Sequence, residues 1–143
     1  MAIAMQIVID AADPARLAEF WALALAYRQQ PPPPGFDTWE DFARSIEVPE
    51  AKWGDRAAVV DPAGVGPRVF FQRVPEGKTA KNRVHIDVSV SVGAADREQG
   101  WALVLAHVER LVGAGATMLR EVPEPAGHCI VMRDPEGNEF CVQ

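Results

Sequence analysis

Clusters of basic residues, long apolar runs and paired cysteines are all missing from this sequence, and each absence excludes something. No stretch gathers Lys and Arg, and with a formal net charge of -6 the chain has little attraction for phosphate backbones or anionic lipid. Nucleic acid and membrane are therefore not expected as partners. No segment approaches the ~20 apolar residues that a membrane-spanning helix needs. The first ten residues, MAIAMQIVID, have neither a charged n-region nor a long apolar run, so no leader is expected. The cysteines are Cys129 and Cys141, in no CxxC spacing, which makes a reduced, cytoplasmic protein the expectation.

What is present is a chain of 143 residues, 48% hydrophobic. That is long enough to bury roughly two thirds of its unfolded surface as one domain of ordinary size. Sliding the sequence against itself shows a repeat. Gln6 to Asp10 reads QIVID and leads into a helical pattern containing WALAL from Trp21; His85 to Ser89 reads HIDVS and leads into WALVL from Trp101. Asp61-Pro62-Ala63-Gly64 precedes an apolar strand ending in Phe70-Phe71-Gln72, and Asp134-Pro135-Glu136-Gly137 precedes Phe140-Cys141-Val142-Gln143. The chain thus reads as two copies of strand, helix and two or three strands, an α+β arrangement and not a solenoid.

The most informative stretch is residues 83 to 92, RVHIDVSVSV. Strict alternation sends His85, Asp87, Ser89 and Ser91 to one face, and Val84, Ile86, Val88, Val90 and Val92 into packing. An antiparallel strand with one solvated face alternates in the same way, so the pattern alone leaves a site and an ordinary surface both open. Elsewhere, residues 3 to 10 read as the first strand, with Gln6, Val8 and Asp10 on one face. Asp13 caps a helix over residues 14 to 27, with Pro14 at its first position. Leu17, Phe20, Trp21, Ala24 and Tyr27 fall at helical spacing.

Four prolines at 31 to 34 make a stiff spacer. Beyond them Asp37 and Glu40 have capping-box spacing for a short helix carrying Trp39 and Phe42. This inserted segment, residues 31 to 54, has no counterpart in the second half. It is either a satellite on the sheet edge or an aromatic lid over a ligand site, and Pro49 and Trp53 share that ambiguity. Strands follow at 56 to 61 and 68 to 74, with Phe70 and Gln72 sharing a face. A second helix spans about 97 to 113, with Trp101, Val104, Leu105, Val108, Leu111 and Val112 on one stripe. Strands at 117 to 122, 128 to 133 and 139 to 143 complete the pattern.

The segments DAADPARLAEFW, FFQRVPEGKTAKNRVHIDV and VMRDPEGNEFCVQ resemble the vicinal oxygen chelate superfamily, the glyoxalase, bleomycin-resistance and extradiol-dioxygenase group, and its small glyoxalase-like domain proteins in particular. The resemblance covers nearly the whole chain. It implies a single glyoxalase-like domain over 1 to 143, built from two βαβββ modules (about 1 to 75 and 83 to 143) whose mostly antiparallel sheets curl into a cup around a small-molecule site. It also implies that two such chains can pair as a homodimer.

In metal-bound members, one ligand comes from the first strand and one from the last strand of each module. Carried over, these positions fall on Gln6, Gln72, His85 and Cys141, and only His85 is the residue expected. Amide oxygens are weak donors without charge, and a thiolate favours zinc, whereas magnesium, manganese and iron sites of the family prefer carboxylate and imidazole. The expectation is no cofactor, with a divalent metal on these four residues as the alternative.

Without metal, the inward positions Gln6, Asp10, Phe70, Gln72, His85, Asp87, Glu139 and Cys141, with Trp39 and Phe42, would suit a polar or aromatic small molecule. His85 is the candidate for proton transfer, its reference pKa being nearest neutrality, and is expected at the centre of whatever is bound. The competing reading is a buried histidine satisfied by Gln6 or Gln72. Cys141 would act as a nucleophile only with a lowered pKa, and otherwise is a small buried side chain; Cys129, diagonal to it, is too distant for a bridge. His128 is expected at the surface. Two functions stay open: a metal-free binder of a small metabolite, and a glyoxalase-like lyase or isomerase using His85 or a divalent metal.

Overall fold

The computed structural model describes residues 3 to 124 and 127 to 143; Met1 and Ala2, at the start of the stretch read for a leader, lie outside them. The chain divides into two compact units, Met1–Gly77 and Lys78–Gln143, and each contains one strand, one long helix and three further strands. The class is α+β, with two four-stranded, mostly antiparallel sheets.

In unit one the order of elements begins with β1 (Gln6–Ala11), α1 (Pro14–Leu25) and β2 (Arg28–Gln29). It continues through α2 (Trp39–Ser45), a 3-10 helix (Glu50–Asp55), β3 (Arg56–Val60) and β4 (Arg68–Arg73). The strands are ordered β1-β4-β3-β2. β1 runs parallel to β4 with Gln6 opposite Arg68, Val8 opposite Phe70 and Asp10 opposite Gln72, while β4, β3 and β2 form an antiparallel meander.

The Asp13 carboxylate accepts from the Arg16 N–H at 3.2 Å and starts α1. The helix buries Leu17, Ala18, Phe20, Trp21 and Ala24, a stripe of helical period that packs on β3 and β4. It stops two residues short of Tyr27, because Ala26 takes a left-handed conformation at φ 54° and the Tyr27 N–H closes back on the Ala22 carbonyl at 2.9 Å. On the sheet, Val59, Val69 and Phe71 are fully buried. Alternation then leaves Arg68, Phe70 and Gln72 on the other side.

Unit two repeats the plan with β5 (Asp87–Val88), α3 (Arg97–Gly113), β6 (Thr117–Glu124), β7 (Gly127–Arg133) and β8 (Glu139–Val142), ordered β5-β8-β7-β6. β5 is parallel to β8. Asp96 caps α3 by accepting from Gln99 N–H at 2.8 Å, and Gln99 accepts in return from Ala95 N–H.

The repeated Asp-Pro-x-Gly turns do the same job in both halves. Asp61 accepts backbone N–H groups from Ala63, Val65 and Gly66, and Asp134 accepts from Glu136 and Asn138. Gly64 and Gly137 sit at φ 70° and 89°, where a side chain would strain the turn.

Several expectations need correction. The strand read over 83 to 92 is much shorter. Its ladder runs from the Ile86 carbonyl to the Ser91 N–H against 141 to 143, and residues 90 to 93 turn toward the α3 cap. Val84 and Val92 are therefore 83% and 81% exposed instead of packed. The α3 stripe is Gly100, Val104, His107, Val108 and Leu111; Leu105 and Val112 face outward, because at about 100° per residue they fall roughly a third of a turn from the centre of that stripe.

The cap of α2 is Thr38, whose hydroxyl accepts from the Asp41 N–H and donates to its carboxylate, one residue later than the Asp37 and Glu40 pairing. Residues 50 to 55, read as loop, form the 3-10 helix, and the short β2 was not anticipated. His128 is half-buried, stacked on Trp101 with centroids 3.4 Å apart and bonded to Glu121 at 2.6 Å.

The one-sidedness of the first sheet is testable at adjacent residues. Phe71→Ala, on the helix-covered face, is expected to cost ~3–5 kcal/mol, and Phe70→Ala, on the open face, less than half of that. Urea midpoints would check this, and equal costs would contradict the assignment of faces.

Candidate functional site

The inserted segment lies over the open face of the first sheet. The Trp39 indole N–H donates to the Gln30 carbonyl at 2.8 Å, and Gln30 in turn bonds through its own N–H to Ala58 of β3 at 2.9 Å. α2 is thus pinned to the sheet edge. Phe42 makes edge contacts with Trp39 and Phe36 at 5.8 and 5.3 Å. Trp53 is held by a bond to the Val48 carbonyl at 2.9 Å.

Between this layer and the sheet is a pocket of about 910 Å³, with Trp39, Phe42 and Trp53 on one side and Phe70, Ala58 and Arg68 on the other. Pockets of ~300–1,000 Å³ suit drug-sized ligands. The satellite and lid readings of the segment meet here: it packs, and it encloses. Ala58 shows the cover directly, being 8% exposed although it points to the open face.

Arg68 occupies the pocket floor. Its Nε donates to Gln30 Oε1 at 2.7 Å and its Nη1 to Gln6 Oε1 at 2.8 Å, and its guanidinium lies 4.9 Å from the Phe70 ring centroid. Burial lowers its pKa, which in a guanidinium leaves the charge in place. The sequence reading passed over Arg68, although its spacing of two from Phe70 was the available signal. Gln6, Asp10 and Gln72 share its face as expected, and Gln72 donates to Asp10 at 2.8 Å. They do not line the pocket, whereas Trp39, Phe42 and Phe70 do.

In unit two, His85, Asp87 and Cys141 have donor atoms all within 4.8 Å of one another. His85 Nε2 stands 3.3 Å from Asp87 Oδ1, and both side chains are about half exposed, so His85 is not the buried, amide-satisfied histidine of the competing reading. Cys141 lies opposite Asp87 on β8. Burial first, then the Cys129 thiol and the Asp87 carboxylate, push its pKa up to about 12, which makes it a poor nucleophile near neutrality. Both cysteines are free thiols.

Glu139 shares the Cys141 face but its carboxylate is already engaged. It accepts from Lys78 Nζ at 3.1 Å and from the Asn82 N–H at 2.9 Å, tying down the 78 to 82 segment. Its pKa is held at about 2, chiefly by the Asn82 N–H.

The four-position metal set does not fit these surroundings. The Gln6 oxygen, which would have to face a cation, already accepts from the Arg68 guanidinium, and Gln72 contributes no charge. Unit two by itself offers a different trio, in which Asp87 supplies the carboxylate.

The glyoxalase-like domain model matches residues 6 to 143, and the chain belongs to that family. No curated protein sequence matches the chain.

Solved structures share the fold at low identity. The bleomycin-binding protein of bleomycin-producing Streptomyces verticillus, complexed with copper(II)-bleomycin, is 18% identical, with 100% of this chain and 96% of that one covered and a TM-score of 0.55. The fosfomycin resistance protein FosX of Mesorhizobium loti is 12% identical, covering 100% and 91%, at 0.62. A mutant of FosX from Listeria monocytogenes, complexed with Mn(II) and 1S,2S-dihydroxypropylphosphonic acid, is 11% identical, covering 100% and 90%, at 0.62.

Glu139 should leave a signature in acid. A carboxylate whose pKa is depressed by folding stabilises the fold above its unfolded pKa, near 4.5, and that contribution is lost as pH falls toward about 2. The thermal midpoint of the parent protein is expected to drop more steeply across this window than that of Glu139→Gln, the two curves converging at the acid end. Parallel curves would show that the Lys78 and Asn82 contacts are not held in solution.

Proposed function

We propose that this protein, acting as a single glyoxalase-like domain, binds a small aromatic or polar metabolite on the open face of the first sheet and does so without a metal. The observation that carries this reading is the aromatic-lined pocket of about 910 Å³ under the inserted segment. Trp39 and Trp53 are both tied by indole hydrogen bonds, so the walls are formed before a ligand arrives and little ordering cost is added on binding. The copper(II)-bleomycin complex among the fold neighbours supports the reading by precedent of fold alone.

Quenching of tryptophan emission by a panel of small aromatic compounds tests it. Saturable binding is expected, weakened at least tenfold (~1.4 kcal/mol) in Trp39→Ala, with the urea midpoint little changed because Trp39 is 41% exposed. A panel with no saturable member, or a Trp39→Ala variant that binds as well as the parent, would remove the reading.

The His85, Asp87 and Cys141 cluster favours a second reading, a lyase or isomerase in which His85 moves a proton or the trio holds a divalent ion. Imidazole, carboxylate and thiolate together suit zinc better than magnesium. Binding would require the Cys141 proton to leave from a thiol whose pKa is about 12, a cost that weakens affinity at neutral pH. Protein prepared without added metal is accordingly expected to carry well under one equivalent of zinc, nickel, iron or manganese by elemental analysis. A full equivalent that survives dialysis, and that His85→Ala loses while keeping its thermal midpoint within a few degrees, would make the second reading the better one.

A further inference from the structure

We infer that the ligand of the first-sheet pocket is an aromatic carboxylate carrying a single negative charge, with its ring between Trp39, Phe42 and Phe70 and its carboxylate on Arg68. The inference rests on the binding reading above and adds the chemical class.

Arg68 is a cation that the fold has oriented and left without a counter-ion. Its partners are two neutral amides and an aromatic ring. No described carboxylate forms an ion pair with it, and the nearby Asp55 is engaged with Arg73 at 3.1 Å. A guanidinium has five N–H donors. Gln30 and Gln6 take one each, leaving three, enough for a carboxylate to accept two parallel bonds.

The two amides fix the guanidinium from both sides of β4. Gln6 belongs to β1, the parallel neighbour, and Gln30 follows β2 at the far edge of the sheet. This pre-orientation reduces the side-chain entropy lost when an anion arrives. The aromatic walls and the cation occupy one pocket, so a ligand that satisfies both must carry its anionic group on or next to a ring.

The charge balance limits the anion to one unit. Glu40 and Glu47 also line the pocket, and both are exposed. Lys52 and Arg56 on the same lining are likewise exposed, so these two acids and two bases offset one another in high dielectric. The half-buried Arg68 guanidinium is then the charge that decides, and it would not neutralise a dianion such as a phosphate monoester.

Calorimetric titration of the full chain with naphthoate and with naphthalenemethanol, which differ mainly in the charge, tests this. Naphthoate is expected to bind at least tenfold more tightly than the alcohol. Arg68→Gln should erase that preference, costing naphthoate at least tenfold more affinity than it costs the alcohol, and Arg68→Lys, which keeps the charge but not the fork, should retain part of it. Phenyl phosphate near neutral pH should bind more weakly than naphthoate. Equal binding of acid and alcohol in the parent protein, a preference untouched by Arg68→Gln in folded variant, or tighter binding of the phosphate overturns the inference while the aromatic pocket stands. If neither naphthalene compound binds and Trp39→Ala changes nothing, the binding reading falls with it.

Discussion

Burial of one face of each sheet under a helix is the constraint on which the rest of this structure depends. In the first unit, Val59, Val69 and Phe71 are fully buried on the side where α1 packs on β3 and β4. Side chains alternate strictly along a strand, so once that side is settled Arg68, Phe70 and Gln72 have nowhere to go but the other. The parallel pairing of β1 with β4 then brings Gln6, Val8 and Asp10 beside them. A slip of one residue would bury Arg68 and expose Phe71, and the hydrophobic penalty of that exchange holds the open face in register.

The two open faces have been used differently. The first is roofed by an insertion without counterpart in the second unit, tied down by the Trp39 indole and capped by Thr38 and Asp41. Its lining is aromatic, with the Arg68 guanidinium at the floor. The second carries the His85, Asp87 and Cys141 cluster, while its nearby acid Glu139 is spent on holding residues 78 to 82. Duplication supplies the same scaffold twice, and the side chains on the spare face decide what each copy can do. The family assignment therefore leaves the chemistry to be argued residue by residue.

Much of the architecture was legible in the sequence by itself. The repeat of QIVID with HIDVS, the two Asp-Pro-x-Gly turns and the two long helices follow from local rules. A carboxylate accepting the next few N–H groups makes a turn or a cap wherever it occurs, as Asp13, Asp61, Asp96 and Asp134 do. Period-two alternation also put Gln6 with Asp10 and Phe70 with Gln72, whereas the sharing of one face by the two pairs came from the resemblance and follows from the β1 and β4 register. The local features depend on neighbours a few residues apart, which is the range over which a sequence is explicit.

Only the tertiary structure decided the rest. The valines at 84 and 92 alternate as well as those between them, but a strand lasts only as long as its partner pairs with it, and the bonds to residues 141 to 143 run only from the Ile86 carbonyl to the Ser91 N–H. His107 lies on the buried stripe of α3 where Leu105 looked the better candidate, because the helix rotation is set by the sheet beneath it. Arg68 is a surface cation in any linear reading. Its guanidinium is fixed only because Gln6 on the adjacent β1 and Gln30 just beyond the edge strand β2, 62 and 38 residues away in sequence, both reach it, and that convergence is a property of sheet order, which local patterning does not encode.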